Sequence, residues 1–437
     1  MAKLNRKVPD RSHVTHEGAP ARRINVEQQL RRSVCSCMLW ENEFYEDGES
    51  IAERIADTCK KVKPEFIASL AIEAREKFKL RHVPLLLCRE LARQRYEKTG
   101  ETLFNVIQRA DELTEFLAIY WKDGKCPLSA QVKKGLAKAF TKFNEYQLAK
   151  YDRDGSIKLR DVLFLCHAKP KDKEQERLWK KLVDKTLEIP DTWEVALSAG
   201  KDKKETWERL LTEKKLGALA LLRNLRNMQK VNVSEKAIVN ALNSVKIDRV
   251  LPFRFIAAAR YAPQLENHLE KSMFKCIEGV KKLSGTTVLL VDVSGSMEAA
   301  LSAKSEMTGM DAANGLAVLL REICEDVKIF SFSDSCMSIP PRRGFALRDA
   351  ISGSQRHNGT YLGKALSNIT IPHDRIIVIT DEQSHDSVPN PKAQGYMINV
   401  ASNANGVGYG AWNHIDGFSE AVIDWIQEYE NLGGESK

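Results

Sequence analysis

Five oxygen-bearing residues stand out by type and spacing. Asp292-Val293-Ser294-Gly295-Ser296 sets one carboxylate and two hydroxyls at alternate positions, and Gly295 lets the chain bend tightly between them. Thr360 follows Asn358-Gly359, and Asp381 comes directly after the apolar run RIIVIT. Oxygen donors without His or Cys suit a hard divalent cation, Mg²⁺ first among them. Three hydroxyls and two carboxylates, some acting through water, would leave an octahedral ion one open position for an acidic ligand. A closed site without an external ligand is the alternative, and a strand–turn–helix with capping Ser and Asp is the plainer one. No Ser–His–Asp, Cys–His or Walker-type constellation presents itself. Gly406-Val407-Gly408-Tyr409-Gly410 lacks the Lys-Ser/Thr of a phosphate loop and reads as a flexible loop. The expectation is a protein without catalytic activity.

A second set of residues is basic. Lys134, Lys138 and Lys142 recur at i, i+4 and i+8, which aligns three ammonium groups over about 12 Å of one helix face. Leu136, Phe140 and Phe143 lie on another face and supply its burial. No acidic partners accompany the stripe, so it reads either as a phosphate-facing surface or as an ordinary solvated face. Lys150-Tyr151-Asp152-Arg153-Asp154-Gly155 follows, and then His167 after the apolar run ending in Cys166, with Pro170 beyond. His167 is open to two readings: a helix cap, or a group that stacks on a base or donates to a phosphate.

These residues need elements to hold them. From about Val26 to Leu283 the apolar periodicity is helical: Leu103, Val106, Ile107 and Ala110 share one face, as do Leu113, Phe116, Leu117 and Tyr120. Pro64, Pro84, Pro127, Pro190 and Pro252 break the region into short helices, arranged as stacked pairs or as a compact bundle. Near Ser284 the pattern changes. Thr286–Val293, Val327–Phe332, Arg375–Thr380 and a weaker Gly395–Val400 are short apolar runs typical of strands buried on both faces. Helical stretches over Met310–Glu325, Tyr361–Asn368 and Asp416–Tyr429 alternate with them. The reading is a helical module over residues 1–283 and a doubly wound α/β domain over 284–437, whose ligands belong at the carboxyl ends of the strands.

Composition sharpens this division. The 437 residues carry a net charge of +8, but residues 284–437 hold 11 Lys and Arg against 19 Asp and Glu, a balance of −8. The first 283 residues are left with +16, which suits a polyanionic partner or merely a solvated surface. Nine cysteines are scattered without a framework and read as reduced thiols of a cytoplasmic protein. No apolar run is long enough to span a membrane.

The metal-site pattern resembles the metal-ion-dependent adhesion site of von Willebrand factor A domains. In that family the two Ser and the Thr approach the ion directly, and the carboxylates often act through water. The helical part is similar to the Ro autoantigen (TROVE module) family. That likeness is carried by Lys150 to Gly155 leading into His167-Ala168-Lys169-Pro170, by Thr206-Trp207-Glu208-Arg209-Leu210-Leu211 and by LALLRNLRNM from Leu219 to Met228. Pro252-Phe253-Arg254-Phe255 and Gly417-Phe418 continue it.

The resemblance implies a ring of HEAT-like helical repeats followed by a Rossmann-like von Willebrand factor A domain. It implies a small Y-type noncoding RNA on the outer basic surface, and single-stranded ends of misfolded or immature RNA in a central hole. Lys150, Arg153 and His167 match family positions on the outer RNA-binding surface, while Lys134, Lys138 and Lys142 are candidate phosphate contacts from spacing alone. An exoribonuclease such as polynucleotide phosphorylase is a partner the family suggests, and the short basic start points to a bacterial or phage-borne member. The rival readings are a metal-dependent protein-binding module with incidental RNA binding, and a metal-dependent ribonuclease.

Overall fold

The computed structural model describes residues 14–35, 39, 47–152, 155–198, 202–247, 250, 253–301, 307–401, 403–417 and 421–433. The chain divides into two compact units. One holds the helices between Glu49 and Cys276, and the other holds residues 277–437 together with the N-terminal segment 14–35. The expected linear division at 283/284 therefore differs at its start, because the first described helix, Val26–Cys35, belongs to the α/β unit.

The helical unit is a stack. Helix Pro64–Glu76 packs on Thr99–Val106, which packs on Ala130–Phe140, which packs in turn on Leu159–Leu165. A second row runs from His82–Arg93 to Asp111–Tyr120. The same next-but-one pairing joins Lys203–Thr212, Glu235–Ser244 and Glu266–Phe274 later in the unit. Such pairing is what stacked helix pairs produce, since each pair buries its apolar face only against its neighbours. Local chemistry fixes the ends. Pro64 occupies the first turn of its helix, where its missing N–H costs nothing. Ser129, Asn144, Asp172 and Asp202 each accept a backbone N–H at a helix start. At one crossing the backbones nearly touch: a Cβ on Gly135 would lie 2.7 Å from the Gly100 carbonyl oxygen.

The α/β unit carries a six-stranded sheet. Its strands are β1 (Leu283–Asp292), β2 (Cys324–Phe332), β3 (Cys336–Ser338), β4 (Arg375–Thr380), β5 (Gln394–Asn399) and β6 (Asn413–Asp416). Their spatial order is β3-β2-β1-β4-β5-β6, with β3 antiparallel and the other neighbours parallel. All six residues of β4 are buried, as continuous apolar patterning requires. Val288 and Leu290 of β1 join Phe332, Val378, Met397, Leu362 and Trp412 in one core layer. Leu289 and Val291, one pleat out of phase, are just as buried on the other face. The chain leaves β1 toward β2 on one side and β4 on the other. That makes the carboxyl ends of β1 and β4 the switch point at which such sheets bind ligands.

Candidate metal centre and basic helical surface

The switch point is where the five oxygen-bearing residues meet. Asp292 ends β1 and Asp381 follows β4, and both are buried. The Asp292 carboxylate accepts the Ser294 N–H at 2.9 Å and the Thr380 hydroxyl at 2.6 Å. The Ser294 and Ser296 hydroxyl oxygens are 3.3 Å apart, and Ser296 also hydrogen-bonds Asp381. Thr360 is held beside them because Gly295 N–H donates to Asn358 O at 2.9 Å, and His385 N–H donates to Thr360 O at 2.7 Å. Ser333 pins the same loop, accepting from Asn358 N–H and donating to Gly359 O.

Burial, and then the neighbouring Asp381 charge, push the Asp292 carboxyl up to about 7. Burial raises Asp381 as well, against its hydrogen bonds from Ser296 and the Gln383 N–H. Two buried carboxylates that repel one another, with the Ser294 and Ser296 hydroxyls beside them and Thr360 on the adjoining loop, form a donor set that fits a hard divalent cation. Asp292, Ser294, Ser296, Thr360 and Asp381 would hold it. Among the described residues no group of three or more His, Cys, Asp or Glu is gathered so as to hold a metal ion, so the donor set here depends on its hydroxyls. Thr380 and Ser333 were not singled out by pattern. Their signals are faint: a hydroxyl ending an apolar strand, and a Ser directly after VKIFSF.

A buried polar cluster adjoins this site. Arg32 is fully buried and pairs with Glu382, the neighbour of Asp381. Arg32 also donates to Asn403 O at 2.6 Å and Asn405 O at 3.1 Å. His414 Nε2 lies 2.6 Å from Glu382, and its Nδ1 lies 3.4 Å from Asp416. Burial opposes ionisation of Glu382, yet the Arg32 and His414 charges hold it down at about 2. Burial likewise opposes the charged imidazole, while Asp416 and Glu382 hold His414 up at about 9. Gly406 and Gly408 line this cluster, where any Cβ would overlap Glu382. The glycine-rich segment is thus a tightly packed wall, with Val407 and Tyr409 buried, and not the flexible loop its composition suggests. Residues 15–22 run along the same edge: Thr15 donates to Ser384 O at 2.7 Å, and His16 N–H donates to Gln383 at 2.8 Å.

In the helical unit, Lys134, Lys138 and Lys142 do share a face of helix Ala130–Phe140 and its end, and all three are exposed. Their head groups divide. The Lys142 ammonium donates to the Phe104 and Ile107 carbonyls, closing the end of helix Thr99–Val106, and burial lowers its pKa. Lys138 and Lys142 both lie over the Phe104 ring, at 4.3 and 3.9 Å. Lys150 ends helix Glu145–Tyr151, 5.7 Å over Tyr151, whose ring also meets Arg109 at 4.8 Å. A cleft of about 270 Å³ beside that helix end is lined by Lys158, Arg160 and Lys185, none of which the pattern had marked. Arg153 lies outside the described residues. His167 is exposed and caps helix Leu159–Leu165 in the left-handed conformation, φ 52°. Its N–H donates to Phe164 O while Ala168 N–H donates to Leu163 O, the paired closure of a Schellman motif.

The TROVE domain model matches residues 15–186 and 184–312, which takes in the helical unit, β1 and the Asp292–Ser296 loop. The chain belongs to the TROVE domain family. Its fold is similar to the crystal structure of the RO (RSR) protein of Deinococcus radiodurans, at a TM-score of 0.57 and 17% identity. That match covers 92% of this chain and 98% of the other. A stretch of 89 residues, 19% of the chain, is 36% identical to telomerase protein component 1 of Mus musculus and 35% identical to that of Rattus norvegicus. The chain spans only 3% of the length of these two relatives. Ro/TROVE proteins are RNA-binding proteins.

Proposed function

We propose that the chain is the protein scaffold of a Ro-type ribonucleoprotein in the cytoplasm. Its basic helical surface holds a small Y-type RNA, and a ring of helix pairs admits single-stranded ends of misfolded or immature RNA. The α/β unit binds Mg²⁺ at Asp292, Ser294, Ser296, Thr360 and Asp381 and leaves a position for an acidic group of a partner. The observation that carries the RNA reading is the packing of helix Ala130–Phe140 on helix Leu159–Leu165, which gathers Lys134 and His167 into one unit. Lys150, at the end of the intervening helix, belongs to that same unit.

Phosphates neutralised at such a surface release counterions, so affinity for a single strand falls with salt by about 0.7 in log–log slope per phosphate. The bound small RNA would tether an exoribonuclease such as polynucleotide phosphorylase, which supplies the chemistry that the scaffold itself does not. The test is recovery of native protein at moderate salt and sequencing of its RNA, with Lys134→Ala, Lys150→Ala and His167→Ala combined as the control. A short structured RNA lost in the triple variant supports the reading; equal RNA retention by both proteins removes it. The metal site supports a second reading, capture of an acidic protein ligand. It predicts partner binding that needs Mg²⁺ and Asp292 but not the three basic residues.

A further inference from the structure

Helix Leu159–Leu165 buries Leu159, Val162 and Leu163 and turns Phe164 outward. Phe164 is 60% exposed, more than any other described aromatic among the exposed large apolar residues, and Leu165 beside it is 39% exposed. Three positions on, His167 is held in the left-handed cap conformation that glycine adopts without strain, and its side chain is exposed. Lys169 is exposed just beyond it. Lys133 lies on helix Ala130–Phe140, which packs against helix Leu159–Leu165. An aromatic face open to water and edged by cationic donors is the arrangement that binds single-stranded nucleic acid: bases stack on the ring while phosphates meet the charges. Two side chains make too small an apolar patch for a protein interface, and the surrounding positive charge selects a polyanion.

We infer that Phe164 is a stacking platform for an unpaired nucleobase, with the flanking phosphates met by His167, Lys133 and Lys169. The inference rests on the RNA-binding reading and deepens it, because it assigns contact with an unpaired base of the bound RNA to a defined residue on the surface that carries His167. Duplex RNA keeps its bases stacked internally and gains nothing from the ring.

The experiment measures fluorescence anisotropy of a short unstructured labelled RNA, and of the same strand annealed to its complement. Phe164→Ala should weaken single-strand binding by roughly 10- to 100-fold, the range for loss of one base–aromatic stack. Duplex affinity should not change, and Phe164→Trp should restore single-strand binding with quenching of the new indole by the stacked base. Circular dichroism of Phe164→Ala should match the parent, since the ring is exposed. Unchanged single-strand affinity in Phe164→Ala, alongside weakening in Lys134→Ala/Lys150→Ala, overturns the stacking role and leaves the RNA reading intact. Equal weakening for single strand and duplex also overturns it, because a stack discriminates between them. Unchanged affinity in every variant overturns the RNA reading itself.

Discussion

Replacing Arg32 with methionine should cost the α/β unit about 3–5 kcal/mol, the range for removing one member of a buried ion pair. Methionine keeps the apolar stem of the side chain, so the loss comes mainly from the missing guanidinium, its charge and its hydrogen bonds. The guanidinium serves Glu382 and the carbonyls of Asn403 and Asn405, and all three would be left buried without it. His414 stays 2.6 Å from Glu382 and softens the effect, which argues for the lower end, about 3 kcal/mol. There is no slack to repack, since a Cβ at Gly406 would already overlap both Glu382 and Arg32. At about 2–4 °C per kcal/mol for a unit of this size, Tm should fall by about 6–12 °C. Calorimetry of the full chain reads that shift. Hydrogen exchange locates it, and faster exchange is expected in peptides covering Val26–Cys35 and the segment 403–416. In a double-mutant cycle with Glu382→Gln the two changes should couple by about 1 kcal/mol or more. Wild-type Tm and exchange in Arg32→Met would refute the view that this pair fastens the N-terminal segment to the sheet.

Three further outcomes follow from the same geometry. His414 is held up at about 9, so its charge stabilises fully below its unfolded value near pH 6.5, and that contribution is lost as pH rises through about 9. Urea titrations from pH 6 to 10 should show the decline, and His414→Gln should flatten it. Gly135→Ala should destabilise by about 1–3 kcal/mol in chemical denaturation. The Cβ would press on backbone atoms of Gly100, and that clash outweighs the helix-propensity gain of about 1 kcal/mol. Mg²⁺ should raise the Tm of the parent protein and EDTA should reverse it, whereas Asp292→Asn should abolish the response, because half of the carboxylate pair is gone. A Mg²⁺ shift of parental size in that variant would move the metal elsewhere.

What could be read from the chain alone was what local sequence carries. The run RIIVIT coincides with β4, and Thr286–Val293 and Val327–Phe332 fall within about three residues of the ends of β1 and β2, because continuous apolar runs flanked by polar residues have no other stable use. The short edges Cys336–Ser338 and Asn413–Asp416 carry no such signal, as three or four mixed residues leave no periodicity. The five oxygen donors were visible because each sits in a short motif at a strand end or a helix start, so the topology needed only to bring three local pieces together. Lys142 shows where spacing misleads. Its spacing is right, yet its ammonium is occupied by carbonyls of a helix more than thirty residues earlier. Arg32 shows the same limit more strongly. Its partner lies 350 residues away, and nothing near either residue marks the pair. The cost of burying a charge makes such a pair informative once seen: a guanidinium with no access to water is tolerated only if its partners stay in place. Segment 14–35 therefore has to be counted with the α/β unit, and a fragment beginning at Ser284 would expose Glu382 and His414 without the charge that balances them.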